Sequence, residues 1–231
     1  MKKLYYVLGA VAVIGIGVAV YSVGSTTLSG AATAPVEVEG IEDSERLIEL
    51  AEGVTLGDED APVTIVEFGD YQCPGCGSFA TNVKPQIQLQ LVDQGLAKFV
   101  FYDFPLVQVH PHAFLAARAA RCAGEQGSYW DYHDLLFQMQ PRWSGEANAI
   151  GSFRDYAESV GLDEGEFNAC LQSDRYADVV TANMELGAQL GVSGTPTVMV
   201  NADDQVRRVG GDFRSIQQAV EALMPENGEG G

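Results

Sequence analysis

Val63-Thr64-Ile65-Val66-Glu67-Phe68-Gly69-Asp70-Tyr71-Gln72-Cys73-Pro74-Gly75-Cys76 is a strand-like run that leads into two cysteines separated by two residues. Residues 63–68 are β-branched and aromatic at strand length. Downstream, from Ser78 to about Val92, Phe79, Val83, Ile87 and Leu91 recur at helical spacing. Cys73 therefore falls in a strand-to-helix turn, at or near a helix N-terminus. There, unpaired backbone N–H groups and the helix dipole stabilise a thiolate. Two thiols so placed can close as a disulfide and reopen, one attacking a foreign disulfide and the other resolving the mixed species. Cys73, first in the turn, is the expected attacking thiol. Cys76, one turn into the helix, is the expected buried, resolving one. A pair of this kind could also be half of a tetrahedral zinc site or an inert brace. Structural zinc wants a second ligand pair at short spacing, and Cys122 and Cys170 have 47 residues between them. His110 and His112 are not at finger spacing either. Redox chemistry leads, with no metal and no cofactor.

The N-terminus bears on location. Met1-Lys2-Lys3 precedes an uncharged stretch from Leu4 to Gly24, 21 residues long. About 20 apolar residues cross a bilayer as a helix, and the two lysines keep the short N-terminal end cytoplasmic. A single-pass membrane protein with its catalytic domain on the extracytoplasmic side is expected. The small residues from Ser29 to Ala34 would also suit cleavage of a signal peptide. Either outcome puts the cysteines where disulfides persist.

All 32 acidic residues lie after position 34, against 11 basic ones, a formal balance of −21 there. Such a surface repels nucleic acid and anionic lipid, which excludes a nucleic-acid partner. Few lysines and many acids suit a high-salt habitat, where screening removes self-repulsion. Ordinary solubilising charge explains the composition equally well.

Further strands are expected over Lys98 to Phe104, Thr197 to Val200 and Gln205 to Val209, the last two as a hairpin. Helices are expected over His112–Gly124, Ser128–Met139, Ile150–Val160, Asp163–Leu171, Asp174–Gly191 and Phe213–Met224. Asp163 serves as an N-cap and Gly191 as a C-terminal cap. The order is strand, CxxC, helix, strand, helical block, hairpin, helix. That is an α/β thioredoxin-like fold with an inserted α-helical domain, preceded by one transmembrane helix. The expected divisions are a membrane anchor or signal at 1–24, a linker with a short helix at 25–53, and a core from 54–105 and 192–224. A helical lid occupies 106–191 and an acidic flexible tail 225–231.

The segment from Gly57 to Cys76 resembles the opening of DsbA-like thiol–disulfide oxidoreductases, above all the membrane-anchored branch of Gram-positive bacteria and archaea. Ala119 to Gly127, Trp130 to Phe137 and Gly194-Thr195-Pro196-Thr197 support it, and the resemblance runs from about Gly57 to Met224. It implies an enzyme that forms disulfides in exported, cysteine-containing proteins and is re-oxidised by a quinone-linked membrane enzyme. It also implies that Thr195-Pro196 is a cis-proline loop packed on the active-site disulfide, binding substrate peptide along its backbone. Glu67 would relay protons for the buried cysteine. The familiar Gram-negative oxidase carries histidine where this chain has Gly75, so one source of thiolate stabilisation is missing.

An even cysteine count in an exported chain favours a structural disulfide between Cys122 and Cys170 over two separate thiols. His110, His112 and His133 read as structural. The sequence does not separate an oxidase from a reductase or isomerase, since direction depends on potential. From another class, a non-catalytic metal- or peptide-binding module remains the competing reading.

Overall fold

The computed structural model describes residues 32–203 and 205–224. The expected membrane segment at 4–24 and the tail at 225–231 lie outside these. Among the described residues no helix is long and apolar enough to cross a membrane.

The quoted run forms β2 (Val63–Gly69), with Val63, Ile65 and the three residues from Glu67 to Gly69 buried. Its partners are β3 (Ala97–Asp103), parallel, and β4 (Thr197–Ala202), antiparallel. β5 (Gln205–Val209) closes the hairpin on β4, and the short β1 (Val54–Leu56) lies antiparallel on the far edge of β3. The sheet order is β1-β3-β2-β4-β5. β1 was not expected from the sequence, because a three-residue strand is too short to show an alternation.

The crossover between the parallel strands departs from the expected single helix. Helix α2 spans Pro74–Asn82, α3 spans Lys84–Ile87, and a π-helical turn follows over Gln88–Val92. Pro85 accounts for the break at Val83: it has no N–H to donate, and its ring crowds the carbonyl four residues back.

Preceding the sheet is the short helix α1 (Ser44–Leu50), capped by Asp43. The helical block consists of α4 (Ala113–Gly124), α5 (Tyr129–Gln138), α6 (Gln140–Trp143), α7 (Ile150–Ser159), α8 (Glu164–Gln172) and α9 (Ala177–Gln189). Asp163 caps α8 by accepting from the Glu166 N–H at 2.8 Å, and Gly191 follows α9 at φ +73°. Helix α4 is buried from Ala113 to Ala123, on every side. Its alanines let α5, α8 and α9 approach closely. Two arginines inside it must be compensated. Arg121 meets Asp103 of β3 at 2.6 Å, and Arg118 donates to the carbonyls of Ala32, Leu171 and Ser173. Cys122 of α4 and Cys170 of α8 are joined in a disulfide.

Helix α9 packs on the sheet. Phe68, Phe104, Val192 and Met199 form one cluster, with Met184 of α9 against it. A Cβ at Gly187 would meet Phe104 at 2.6 Å, so only glycine lets α9 come this close. Helix α10 (Phe213–Leu223), capped by Asp212, covers β2, β4 and β5 with Ile216, Ala219, Val220 and Leu223.

Candidate active site

Cys73 is the N-cap of α2, with Pro74 in the first helical position, where its missing N–H costs nothing. The turn before it is closed by the Cys73 N–H donating to the Asp70 carbonyl at 3.1 Å. Cys73 is 9% exposed, and Cys76 is fully enclosed. Both are free thiols. They differ sharply in acidity. A hydrogen bond from the Cys76 thiol is the main cause holding Cys73 down, to about 5, against partial desolvation. The backbone N–H groups of Cys76 and Gly75 add to it. Cys76 is pushed far up, chiefly by burial, although the Asp70 N–H points at its sulfur from 3.4 Å.

The Thr195–Pro196 peptide bond is cis. It brings the Thr195 carbonyl oxygen to 3.4 Å from the Cys73 sulfur. A Cβ placed on Gly75 would lie 3.2 Å from Pro196 Cδ, so Pro196 closes directly over the motif. The segments 73–76 and 195–196, far apart in the chain, thus form one surface.

Glu67 lies behind that surface, fully buried, with neither carboxylate oxygen hydrogen-bonded among the described residues. Burial raises its pKa to about 8, opposed by the charge of Lys84. Lys84 is itself buried. Its ammonium sits 2.8 Å from Asp134 Oδ1 and 4.9 Å from the centre of the Trp130 ring. The charge of Glu67 in turn raises Cys76.

Several residues that hold the site were not expected from the sequence. Gln140 of α6 donates to the Tyr71 carbonyl at 2.7 Å and the Cys73 carbonyl at 2.9 Å. Gln72 accepts from the His112 N–H and donates to the Ser144 carbonyl. Asp70 accepts from the Gln72 N–H at 2.7 Å. An aspartate that accepts from the N–H two residues on, as Asp70 does from Gln72, carries a readable signal, the Asx turn. Nothing near position 140 points to the cysteines, because that pairing is purely tertiary.

The three histidines are separated by their surroundings. His112 Nε2 is held on the Glu146 carbonyl at 2.7 Å. His133 is buried among Tyr71, Phe101 and Phe137, and desolvation lowers its pKa. His110 lies 2.6 Å from Asp70. Among the described residues no group of three or more His, Cys, Asp or Glu is arranged to hold a metal.

A family model described as Thioredoxin matches residues 49–222. Disulfide bond formation protein D of Bacillus subtilis is 34% identical over 173 residues, which is 72% of this chain and 74% of that protein. Na(+)/H(+) antiporter NhaA 3 of Salinispora tropica is 39% identical over 145 residues. That match covers 63% of this chain but only 21% of the antiporter. The chain thus spans about a fifth of the length of the antiporter relatives it matches. Among solved structures, oxidised BdbD from Bacillus subtilis superimposes with a TM-score of 0.66 at 29% identity, covering 84% of this chain and 98% of that one. The alpha-DsbA1 of Wolbachia pipientis gives 0.66 at 23% identity, over 74% of this chain and 90% of that one, a likeness of fold.

Proposed function

The chain belongs to the thioredoxin family, in its DsbA-like branch of thiol–disulfide oxidoreductases, and from that premise we propose that it forms disulfides in exported proteins through Cys73 and Cys76. The observation that carries this direction is the acidity of Cys73. A thiolate stabilised down to about 5 favours the reduced pair over the disulfide, so the disulfide is a willing acceptor of electrons. Cys73 is also the one with access to solvent.

A substrate thiolate attacks Cys73 Sγ, forming the mixed disulfide. The Cys73–Cys76 bond breaks, and its electron pair goes to Cys76. Buried Cys76 is a poor thiolate, and Glu67, protonated up to about pH 8, is placed to supply its proton. A second substrate thiolate then attacks the substrate sulfur of the mixed disulfide, and Cys73 leaves as the stabilised anion. The backbone at Thr195, beside cis-Pro196, is where an extended substrate peptide would align by strand addition.

Re-oxidation falls to a quinone-linked membrane enzyme in this reading, with residues 4–24 holding the domain on the extracytoplasmic face. The test is the potential of Cys73–Cys76 at equilibrium with glutathione. A value well above about −200 mV supports the oxidase, and one near that of thioredoxin, about −270 mV, overturns it in favour of a reductase.

A further inference from the structure

Asp70 is the hub of the turn that carries the motif. Its side chain is fully buried. One carboxylate oxygen accepts from the Gln72 N–H at 2.7 Å, and the other from the Leu106 N–H at 2.8 Å. That second oxygen also lies 2.6 Å from Nδ1 of His110. The backbone of Asp70 reaches both cysteines: its carbonyl accepts from the Cys73 N–H, and its own N–H donates to the Cys76 sulfur. The loop bearing His110 is fixed to the same turn a second time, by the His112 N–H on Gln72 Oε1.

A carboxylate can only accept in this bond, so Nδ1 of a neutral His110 carries the proton and Nε2 keeps its lone pair. The His110 side chain is 19% exposed. Among the described residues its Nε2 is neither hydrogen-bonded nor enclosed. An imidazole oriented at Nδ1 by a buried carboxylate, with Nε2 open, is the arrangement in which histidine serves as a base.

We propose that His110, oriented by Asp70, takes the proton from the incoming substrate thiol. The inference rests on the oxidase reading above. In the oxidised enzyme Cys73 is locked in its disulfide, so its low pKa does nothing for the attacking group. The substrate cysteine brings an ordinary pKa of about 8.5 and is only about 3% thiolate at pH 7. Glu67 is sealed behind the motif, His133 is enclosed, and His112 Nε2 is spent on the Glu146 carbonyl. His110 is the histidine with both an orienting partner and an open nitrogen.

In the step, the substrate S–H bond breaks and its proton goes to His110 Nε2. The sulfur's electron pair forms the bond to Cys73 Sγ, and the Cys73–Cys76 pair goes to Cys76, which takes the proton held by Glu67. The imidazolium, its charge offset by Asp70, later releases its proton to water. The enzyme disulfide is the only oxidant consumed.

The size of the effect has a ceiling. Raising a thiolate fraction of about 3% to unity gains at most about 30-fold at pH 7, and nothing once the substrate ionises unaided above about pH 9. The experiment uses the full oxidised chain and a synthetic peptide with two cysteines, comparing the parent with His110→Gln from pH 6 to pH 9.5. The expected result is a loss of about tenfold at pH 7 that closes by pH 9, with the same equilibrium potential in both proteins. Asp70 is the charged group in contact with His110, and the pH dependence being read is that of the peptide thiol. Equal rates at pH 7 overturn the proposal. So does a deficit that persists undiminished at pH 9, or a shifted potential, since either would mark His110 as structural. Imidazole added to His110→Ala should restore the pH 7 rate, which a misfolded variant would not show. If the parent itself fails to oxidise the peptide, the oxidase reading is what has failed.

Discussion

Glu67 is a single side chain whose placement controls both stability and chemistry. The folded chain keeps it protonated up to about pH 8, whereas the unfolded chain releases that proton near 4.5. Between those values the folded state binds more protons, so stability present below 4.5 is lost as pH rises towards 8. Glu67→Gln keeps the shape and removes the titration. Denaturant unfolding should show the variant equal to the parent near pH 4 and more stable at pH 7, by up to about 3 kcal/mol. The same variant should release Cys76 more slowly, because no neutral acid stands behind it. Matching stability curves from pH 4 to pH 8 would mean that the carboxylate finds a partner. The residue's position in a buried strand was legible from its neighbours. That neither oxygen is hydrogen-bonded among the described residues was not, because it depends on which distant groups pack around it.

At the scale of elements, the turn between β2 and α2 is held from outside by α6. Gln140 satisfies two buried carbonyls on that turn, one of them belonging to Cys73 itself. Gln140→Ala would leave the Tyr71 carbonyl unpaired, while the Cys73 carbonyl keeps the Gly77 N–H, at a cost of about 1–3 kcal/mol. It should also raise the pKa of Cys73 by loosening its place at the helix cap, readable as the pH at which thiolate absorbance appears. A variant as stable as the parent, with an unmoved thiolate, would show that α6 does not support the site. Elements with their own periodicity, such as β2, β3, α5 and α10, could be read along the chain. Those that exist through tertiary context could not: β1 is three residues pairing with an established edge, and α6 is one turn held by its neighbours. Pro85 was readable in principle as a helix break, and the apolar spacing around it obscured this.

The described residues fold as a five-stranded sheet packed by helices, and the Cys122–Cys170 disulfide braces the helical block. Cys122 and Cys170 are 48 positions apart, and closing a loop of that length stabilises by roughly 4 kcal/mol in the chain-entropy model. Replacing both with alanine should lower the unfolding free energy by about 2–4 kcal/mol while leaving the Cys73–Cys76 potential unchanged. A shifted potential would couple the brace to the active site. The strand, the helix that starts at Cys73, the hairpin and the alternation of apolar faces were written in the residue order, because these are local patterns set by backbone sterics and burial. Which distant groups meet the active-site turn emerged only from the folded packing. Pro196 over Gly75, Gln140 beneath Cys73, and His110 on Asp70 are all contacts across many tens of residues. Hydrogen bonds and close packing in three dimensions leave no spacing rule in one.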